Sequence, residues 1–258
     1  MLYARFEHGG SERYGVVEGG RVRPIEGDLF SERRALDEEL PLDSVRLLAP
    51  LRPGKILAAA VNYPSHLAEG QKMTGRAQAS PQPELFLKPS SSVIGPDEAI
   101  VLPEGARRVD YEGELVAVIG RACRRVAPAD ALDYVFGYTC GNDVSARHWQ
   151  RDDLQWWRAK GCDTFSPIGP FIATALDPAD LELRTRLNGA EVQAANTGAL
   201  IHSVAALIAF ASQAMTLEPG DLLFTGTPGQ TGALSAGDVV EVEVGGIGVL
   251  RNGVVAQT

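Results

Sequence analysis

The sequence predicts a β-rich, mixed α+β fold, with a small β module over residues 1–50 leading into one large domain over residues 55–258. Three observations carry this. Twenty-eight glycines and 16 prolines in 258 residues supply many turns. Short apolar runs, alternating or rich in β-branched residues, recur along the chain. One long segment, residues 200–215, keeps helical spacing instead.

The elements follow in order. Leu2, Ala4 and Phe6 alternate, and Gly9-Gly10 and Gly19-Gly20 mark turns between short strands. Pro50-Leu51-Arg52-Pro53-Gly54 reads as a linker. Residues 55–61 form a strand that ends at Asn62-Tyr63-Pro64. Residues 71–83 are rich in Gln, Gly, Ala, Ser and Pro. They have little to bury, so they read as mobile and as a candidate lid. Residues 86–94 and 100–102 lead to Asp110-Tyr111-Glu112-Gly113-Glu114, and the apolar run after it reads as a buried strand. Pro128 opens a short helix over 127–134, and 135–140 form a strand. Asp143 or Ser145 is placed to cap a helical turn beyond it. Leu200, Val204, Leu207, Ile208, Ala211 and Met215 define a helix that Pro219-Gly220 stops. Residues 221–224 enter a tight loop at Thr225-Gly226-Thr227-Pro228-Gly229. Residues 237–255 read as hairpins turning at Gly245-Gly246 and Asn252-Gly253.

Composition narrows the function. A hydrophobic content of 45% suffices for a sizeable core, and a net charge of −9 without a Lys/Arg run argues against nucleic acid. Cys123, Cys140 and Cys162 form neither a disulfide framework nor a zinc pattern, so a reducing cytoplasm is expected. Cys162 has no base beside it in the sequence to make it reactive. The first residues do not read as a signal peptide. Residues 199–215 are broken by His202, Ser203, Ser212 and Gln213, which suits a buried helix and not a membrane span.

The chemistry centres on Glu112 and Glu114. In a strand, residues two apart share a face. Two unpaired carboxylates ~4 Å apart repel by about 4 kcal/mol at an effective dielectric near 20. A metal relieves that; so does pairing with arginines such as Arg107 and Arg108. Asp143, at the end of a strand, would complete an all-oxygen site for a hard cation (Mg²⁺, Mn²⁺ or Ca²⁺), or it is only a cap. His66 and Glu69, three apart, share a helical face and suit a general base, or else a surface contact. Lys160 would stabilise an oxyanion if buried, and is solvated otherwise. Arg147 and Gln150 suit a substrate carboxylate, and Thr227 an anion. Lys88, His8, His148 and His202 are weaker candidates.

Several motifs, in order, resemble the fumarylacetoacetate hydrolase family. They are Asn62-Tyr63 with His66 and Glu69, Phe86-Leu87-Lys88-Pro89-Ser90-Ser91, Asp110-Tyr111-Glu112 with Glu114-Leu115, and Asn142-Asp143 with Ala146-Arg147 and Gln150. Lys160 with Asp163-Thr164-Phe165, Gln193 with Asn196-Thr197, Leu217 with Pro219-Gly220-Asp221, and Thr225-Gly226-Thr227-Pro228 follow. The match spans residues 55–250. It implies a large β-roll or sandwich domain with a small N-terminal β module, usually a homodimer. It implies Mg²⁺ or Mn²⁺ on Glu112, Glu114 and Asp143, His66 and Glu69 on a lid, Lys160 at the reacting oxyanion, and Arg147, Gln150 and Thr227 on the substrate's polar ends. His148 departs from the family, where many members carry an acidic residue after the Ala-Arg pair, so substrate preference does not carry over from any one relative.

The expected function is a divalent-metal-dependent enzyme acting on small 2-oxo or 2-hydroxy-dienoic acids or diacids through a metal-bound enolate. The leading expectation is isomerase or decarboxylase chemistry of the 2-hydroxyhepta-2,4-diene-1,7-dioate type in aromatic-compound breakdown. Acylpyruvate- or fumarylacetoacetate-type C–C hydrolysis and oxaloacetate decarboxylation share the chemistry. A non-catalytic, metal-binding, dimeric β-roll is the alternative of another class. No nucleic-acid or membrane partner is expected.

Overall fold

The structure, a computed structural model, describes residues 1–67, 71 and 78–257. Its framework grows from the segment that follows the paired glutamates. Gly113–Ile119 is a strand buried at every position. Leu115, Ala117 and Ile119 enter one core cluster, and Val116 and Val118 enter another. That split is the period-2 alternation of a strand covered on both faces.

This strand lies inside a large mixed sheet. The main path runs Arg33–Ala35, Arg21–Gly27, Ser11–Glu18, Leu2–His8, Ser166–Ala173, Val135–Asn142, Gly113–Ile119, Leu222–Phe224, Ile56–Ala59 and Leu85–Lys88. A second sheet of five strands follows the order Ile100–Leu102, Gly248–Ala256, Val239–Val244, Glu182–Leu187 and Ala190–Asn196. Leu183, Val242, Val244 and Leu250 from this second sheet pack with Leu115 and Ala117 of the first. Helix Val204–Ala214 closes the same layer with Val204, Leu207, Ile208 and Ala211, and Ser203 caps it by accepting from Ala206 N at 3.3 Å. Twenty strands and few helices among the described residues make the β-rich fold expected from the turns and alternation. No helix there is long and apolar enough to cross a membrane.

The N-terminal strands extend the large sheet. Leu2 pairs with Ala173 and Tyr3 with Ile172. The hairpin turns fall at Gly9-Gly10 and Gly19-Gly20, as the sequence indicates. The short helix expected over 127–134 is a 3-10 helix, Pro128–Tyr134.

Two local expectations are corrected. Asn252-Gly253 is not a turn. Both residues lie inside strand Gly248–Ala256, opposite Val240 and Val239, because the buried Asn252 amide donates to Gly95 O and Glu98 O, each at 2.9 Å. Neither Asp143 nor Ser145 caps a helix. Helix Arg147–Asp152 starts after Ala146 with no side-chain cap, and Ser145 sits in a two-residue strand whose hydroxyl donates to Asp143 O. Asp143 is turned towards lysines instead.

Gly113 explains why the glutamates are separated by glycine. A Cβ there would lie 2.0 Å from Thr185 Oγ1, on the second sheet. The Gly113 N–H also donates to Gln193 Oε1 at 3.1 Å. The two sheets approach here so closely that only a hydrogen fits. Gly113→Ala is therefore expected to lower stability by about 1–3 kcal/mol through overpacking. It should also weaken divalent-cation binding by shifting Glu112 and Glu114. Urea denaturation and calorimetric titration with Mg²⁺ check both.

Candidate active site

The register of two antiparallel strands assembles the site. Gly113 pairs with Asn142 and Glu114 with Gly141, which brings the start of one strand beside the end of the other. Asn142 Oδ1 accepts from Glu112 N at 2.9 Å, and Asp143 N donates to Glu112 O at 2.8 Å. Glu112, Glu114 and Asp143 are all buried, and each offers a carboxylate oxygen within 4.8 Å of the others.

Buried carboxylates need partners. Lys160 Nζ lies 2.6 Å from Glu112 Oε2 and 2.6 Å from Asp143 Oδ2. Arg147 Nη2 lies 2.6 Å from Glu112 Oε1. Lys88 Nζ is bonded to Asp143 Oδ1 and donates to Phe165 O at 2.8 Å. The arginine pairing weighed from the sequence takes another form, because Arg108 grips Asp110 through two bonds of 2.7 and 2.9 Å. Asp110 also accepts from Arg147 Nε and Thr231 Oγ1, both at 2.9 Å, and so holds Arg147 against Glu112.

The three carboxylates are not equivalent. Burial opposes the charge on Glu112, but Lys160, Arg147 and His66 outweigh it and hold its pKa low. Burial, then Asp143 and then Glu112, push Glu114 well above the usual carboxylate range. Its described hydrogen bond is from Gly226 N to Oε2 at 2.7 Å. That approach needs glycine: Gly226 has φ +100°, and a Cβ would lie 2.7 Å from Asn62 Cβ. Burial also opposes the charge on Lys160, yet Asp143 and Glu112 raise its pKa, whereas burial pushes Lys88 down.

This donor set fits a hard divalent cation. It is all carboxylate oxygen, compact and buried. The repulsion left on Glu114 is what such an ion relieves.

A narrow cleft lies above the carboxylates. His66, Glu112, Gln150, Lys160 and Thr227 line it, with Ala59, Ala60, Val61, Phe86 and Trp156. His66 sits in the 3-10 turn Pro64–His66, its Nδ1 2.7 Å from Gly229 O. A carbonyl only accepts, so Nδ1 carries the proton and Nε2 is the basic nitrogen. Arg147 Nη1 donates to Gln150 Oε1 at 2.9 Å, which presents the Gln150 NH₂ as a donor. Thr227 Oγ1 donates to Gly113 O and accepts from Gln193 Nε2, both at 2.9 Å.

The structure thus brings together His66, Glu112, Glu114, Asp143, Arg147, Gln150, Lys160 and Thr227 from the residues named by sequence. Glu69 and positions 72–77 of the candidate lid lie outside the described residues. Lys88, a weaker candidate from sequence, also supports the site, as do Asp110 and Gln193, which the sequence carried only within the family-like motifs.

Comparison with known proteins identifies the family of the chain. Residues 55–255 match the family described as fumarylacetoacetate (FAA) hydrolase C-terminal, and residues 1–50 match one described as Rv2993c-like, N-terminal. The solved 5-carboxymethyl-2-hydroxymuconate delta-isomerase of Mycobacterium smegmatis superposes with a TM-score of 0.92 at 42% identity, covering 100% of both chains. Mitochondrial oxaloacetate tautomerase Fahd2a of Rattus norvegicus is 40% identical over 86% of this chain and 74% of its own. Maleylpyruvate hydrolase of Sphingobium sp. SYK-6, solved with manganese (II) and pyruvate, superposes with a TM-score of 0.82 at 32% identity, covering 100% of both chains.

Proposed function

We propose a reaction class from one premise: the chain belongs to the fumarylacetoacetate hydrolase family, whose members named above are isomerases, tautomerases and hydrolases. Our reading is an enzyme that moves a proton on a small 2-oxo or 2-hydroxy-dienoic acid through an enolate, as an isomerase or tautomerase. The observation that carries it is Lys160 Nζ at 2.6 Å from both Glu112 and Asp143, in the cleft that His66 also lines.

Glu112, Glu114 and Asp143 would hold Mg²⁺ or Mn²⁺, with Ca²⁺ also compatible, and such an ion supplies Lewis-acid polarisation of a 2-oxo oxygen. Lys160 places a cation where negative charge develops on that oxygen. His66, its tautomer fixed by Gly229 O, offers Nε2 to the proton leaving carbon. Glu69 is proposed with His66 as a second catalytic residue, while the Gly229 carbonyl is the group that orients the ring. The Gln150 NH₂ donates to a polar end of the substrate, Thr227 Oγ1 is left to accept from a substrate hydroxyl, and Arg147 fixes the orientation of Gln150. Hydrolysis needs the same base to activate water; the isomerase and tautomerase relatives favour proton transfer alone. We assign the working protein as a cytoplasmic homodimer.

The test is a panel of acylpyruvates, oxaloacetate and hydroxymuconate-type diacids with Mg²⁺ or Mn²⁺, followed by ultraviolet absorbance and product analysis. Isomerised or tautomerised product is expected. Cleaved acids would move the reading to the hydrolase branch, and released CO₂ to a decarboxylase. No turnover with metal bound would leave a non-catalytic metal-binding β-roll.

A further inference from the structure

Arg147 serves three neighbours with one guanidinium. Its Nη2 lies 2.6 Å from Glu112 Oε1, its Nη1 donates to Gln150 Oε1 at 2.9 Å, and its Nε donates to Asp110 Oδ2 at 2.9 Å. Glu112 and Asp110 thus compete for the same cation. A bond to Asp110 through Nε alone would let the planar fork swing towards Glu112. Thr231 supplies the further contact. Its Oγ1 accepts from Arg147 Nη2 at 2.8 Å and donates to Asp110 Oδ2 at 2.9 Å. A guanidinium does not accept and a carboxylate does not donate, so the hydroxyl has one orientation here. Arginine, threonine and aspartate close a ring, and the charges on either side of the hydroxyl strengthen both of its bonds.

The ring is carried by paired backbone. Strand Val109–Asp110 pairs with Ser145–Ala146 on one side, and Asp110 faces Ala233 on the other. Tyr111 N donates to Gly232 O at 3.2 Å and Leu234 N to Val109 O at 2.8 Å. Arg147 follows Ala146 directly, and its backbone N–H donates to Arg108 O at 2.9 Å. Thr231, Asp110 and Arg147 therefore stand on three adjoining segments, and Thr231 is buried. The stretch of chain that leads to Thr231 also gives Gly226 N to Glu114 and Gly229 O to His66.

What the ring controls is the Gln150 amide. Its oxygen and nitrogen ends have nearly the same shape, so hydrogen bonding decides which of them faces the cleft. Arg147 Nη1 takes the oxygen and leaves the NH₂ for a substrate oxygen. With the guanidinium displaced, the amide can turn over and present an acceptor to an anionic substrate.

We infer that Thr231 is a positioning residue for substrate binding: with Asp110 it locks Arg147, and Arg147 holds Gln150 with its donor face to the cleft. This rests on the proposed function for Gln150 as a substrate donor and adds a residue outside the cleft lining that sets it.

The test is Thr231→Val, which keeps the shape and removes the hydroxyl, beside Thr231→Ser, which restores it. The probe is pyruvate, found with manganese (II) in the Sphingobium hydrolase. Calorimetry on the full chain loaded with Mn²⁺ should show pyruvate bound about tenfold more weakly by the valine variant, as when the competent orientation falls to about a tenth. The serine variant should bind like the wild type. In turnover, KM should rise by the same factor with kcat unchanged. In a Gln150→Leu background, Thr231→Val should cost nothing more. Equal losses in both backgrounds, or a fall in kcat with KM unchanged, would overturn the inference. A second readout needs no substrate: hydrogen exchange of the Arg147 Nε–H, assigned by its loss in Arg147→Lys. That proton should be about tenfold less protected in Thr231→Val than in the wild type or Thr231→Ser. Unchanged protection would overturn the inference whatever the pyruvate affinity. A wild type that binds Mn²⁺ but no pyruvate would remove the proposed function, and the exchange readout alone would then decide the hold of Thr231 on Arg147. If circular dichroism shows the valine variant unfolded, Thr231→Ala makes the same comparison.

Discussion

Glu114→Gln is expected to abolish divalent-cation binding and turnover while leaving the fold intact. Glutamine keeps the shape, and its amide oxygen still accepts the Gly226 N–H that reaches Glu114 Oε2 at 2.7 Å. What it loses is the anion. The loss in affinity for Mg²⁺ should exceed the ~10–100-fold that removal of a ligand's supporting partner costs. In the wild-type protein the ion must displace a proton, because burial, Asp143 and Glu112 hold Glu114 well above the usual carboxylate range. Calorimetry in buffers of different ionisation enthalpy should therefore report close to one proton released, with affinity climbing as pH rises through that raised pKa. Metal-free stability has the opposite sign. Between the ordinary glutamate pKa and the raised one, the folded chain binds more protons than the unfolded chain, so stability falls as pH rises. Glu114→Gln should flatten both slopes. Tight, proton-releasing Mg²⁺ binding by the variant would remove Glu114 from the site.

The site's acidic half was legible because its spacing is local. A β-branched run after the glutamates identifies the strand, which begins at Gly113, and Glu112 just before it and Glu114 inside it reach the same site. Asp143 was legible as an acid at a strand end, although its partner was not. Lys88 lies 55 residues away in sequence, and only the pairing of distant strands brings it to Asp143. The same holds for His66. The sequence offered Glu69 as its orienting partner, and the described structure places the Gly229 carbonyl, 163 residues on, at Nδ1. Asn252-Gly253 misled because the dipeptide is a strong local turn former. Two buried carbonyls, Gly95 O and Glu98 O, claim the asparagine amide and keep the strand extended. Local chemistry was thus readable, whereas pairings across the sheets were not.

Lys160→Met is expected to have the second large effect, with separable parts. Lys160 Nζ is buried between Glu112 Oε2 and Asp143 Oδ2 at 2.6 Å from each. Methionine fills similar volume, so the change is mainly one of charge. Without the ammonium, Glu112 retains Arg147 and Asp143 retains Lys88, but their facing oxygens lose the cation between them. Breaking a buried pair from one side costs about 3–5 kcal/mol, and the metal-free variant should unfold that much more easily. A divalent ion bound to the same carboxylates would offset part of the loss. Saturating Mg²⁺ should therefore raise the Tm of the variant by more than it raises that of the wild type. Catalysis should not recover with it. Proton transfer and oxyanion stabilisation by one group are worth about 10²–10⁴-fold, and kcat at saturating metal should fall by that range. A role confined to packing predicts the reverse pattern: Mg²⁺ would restore both Tm and kcat. Full kcat in the metal-saturated variant would move the oxyanion role from Lys160 to another donor in the cleft, with the Gln150 NH₂ the first to test.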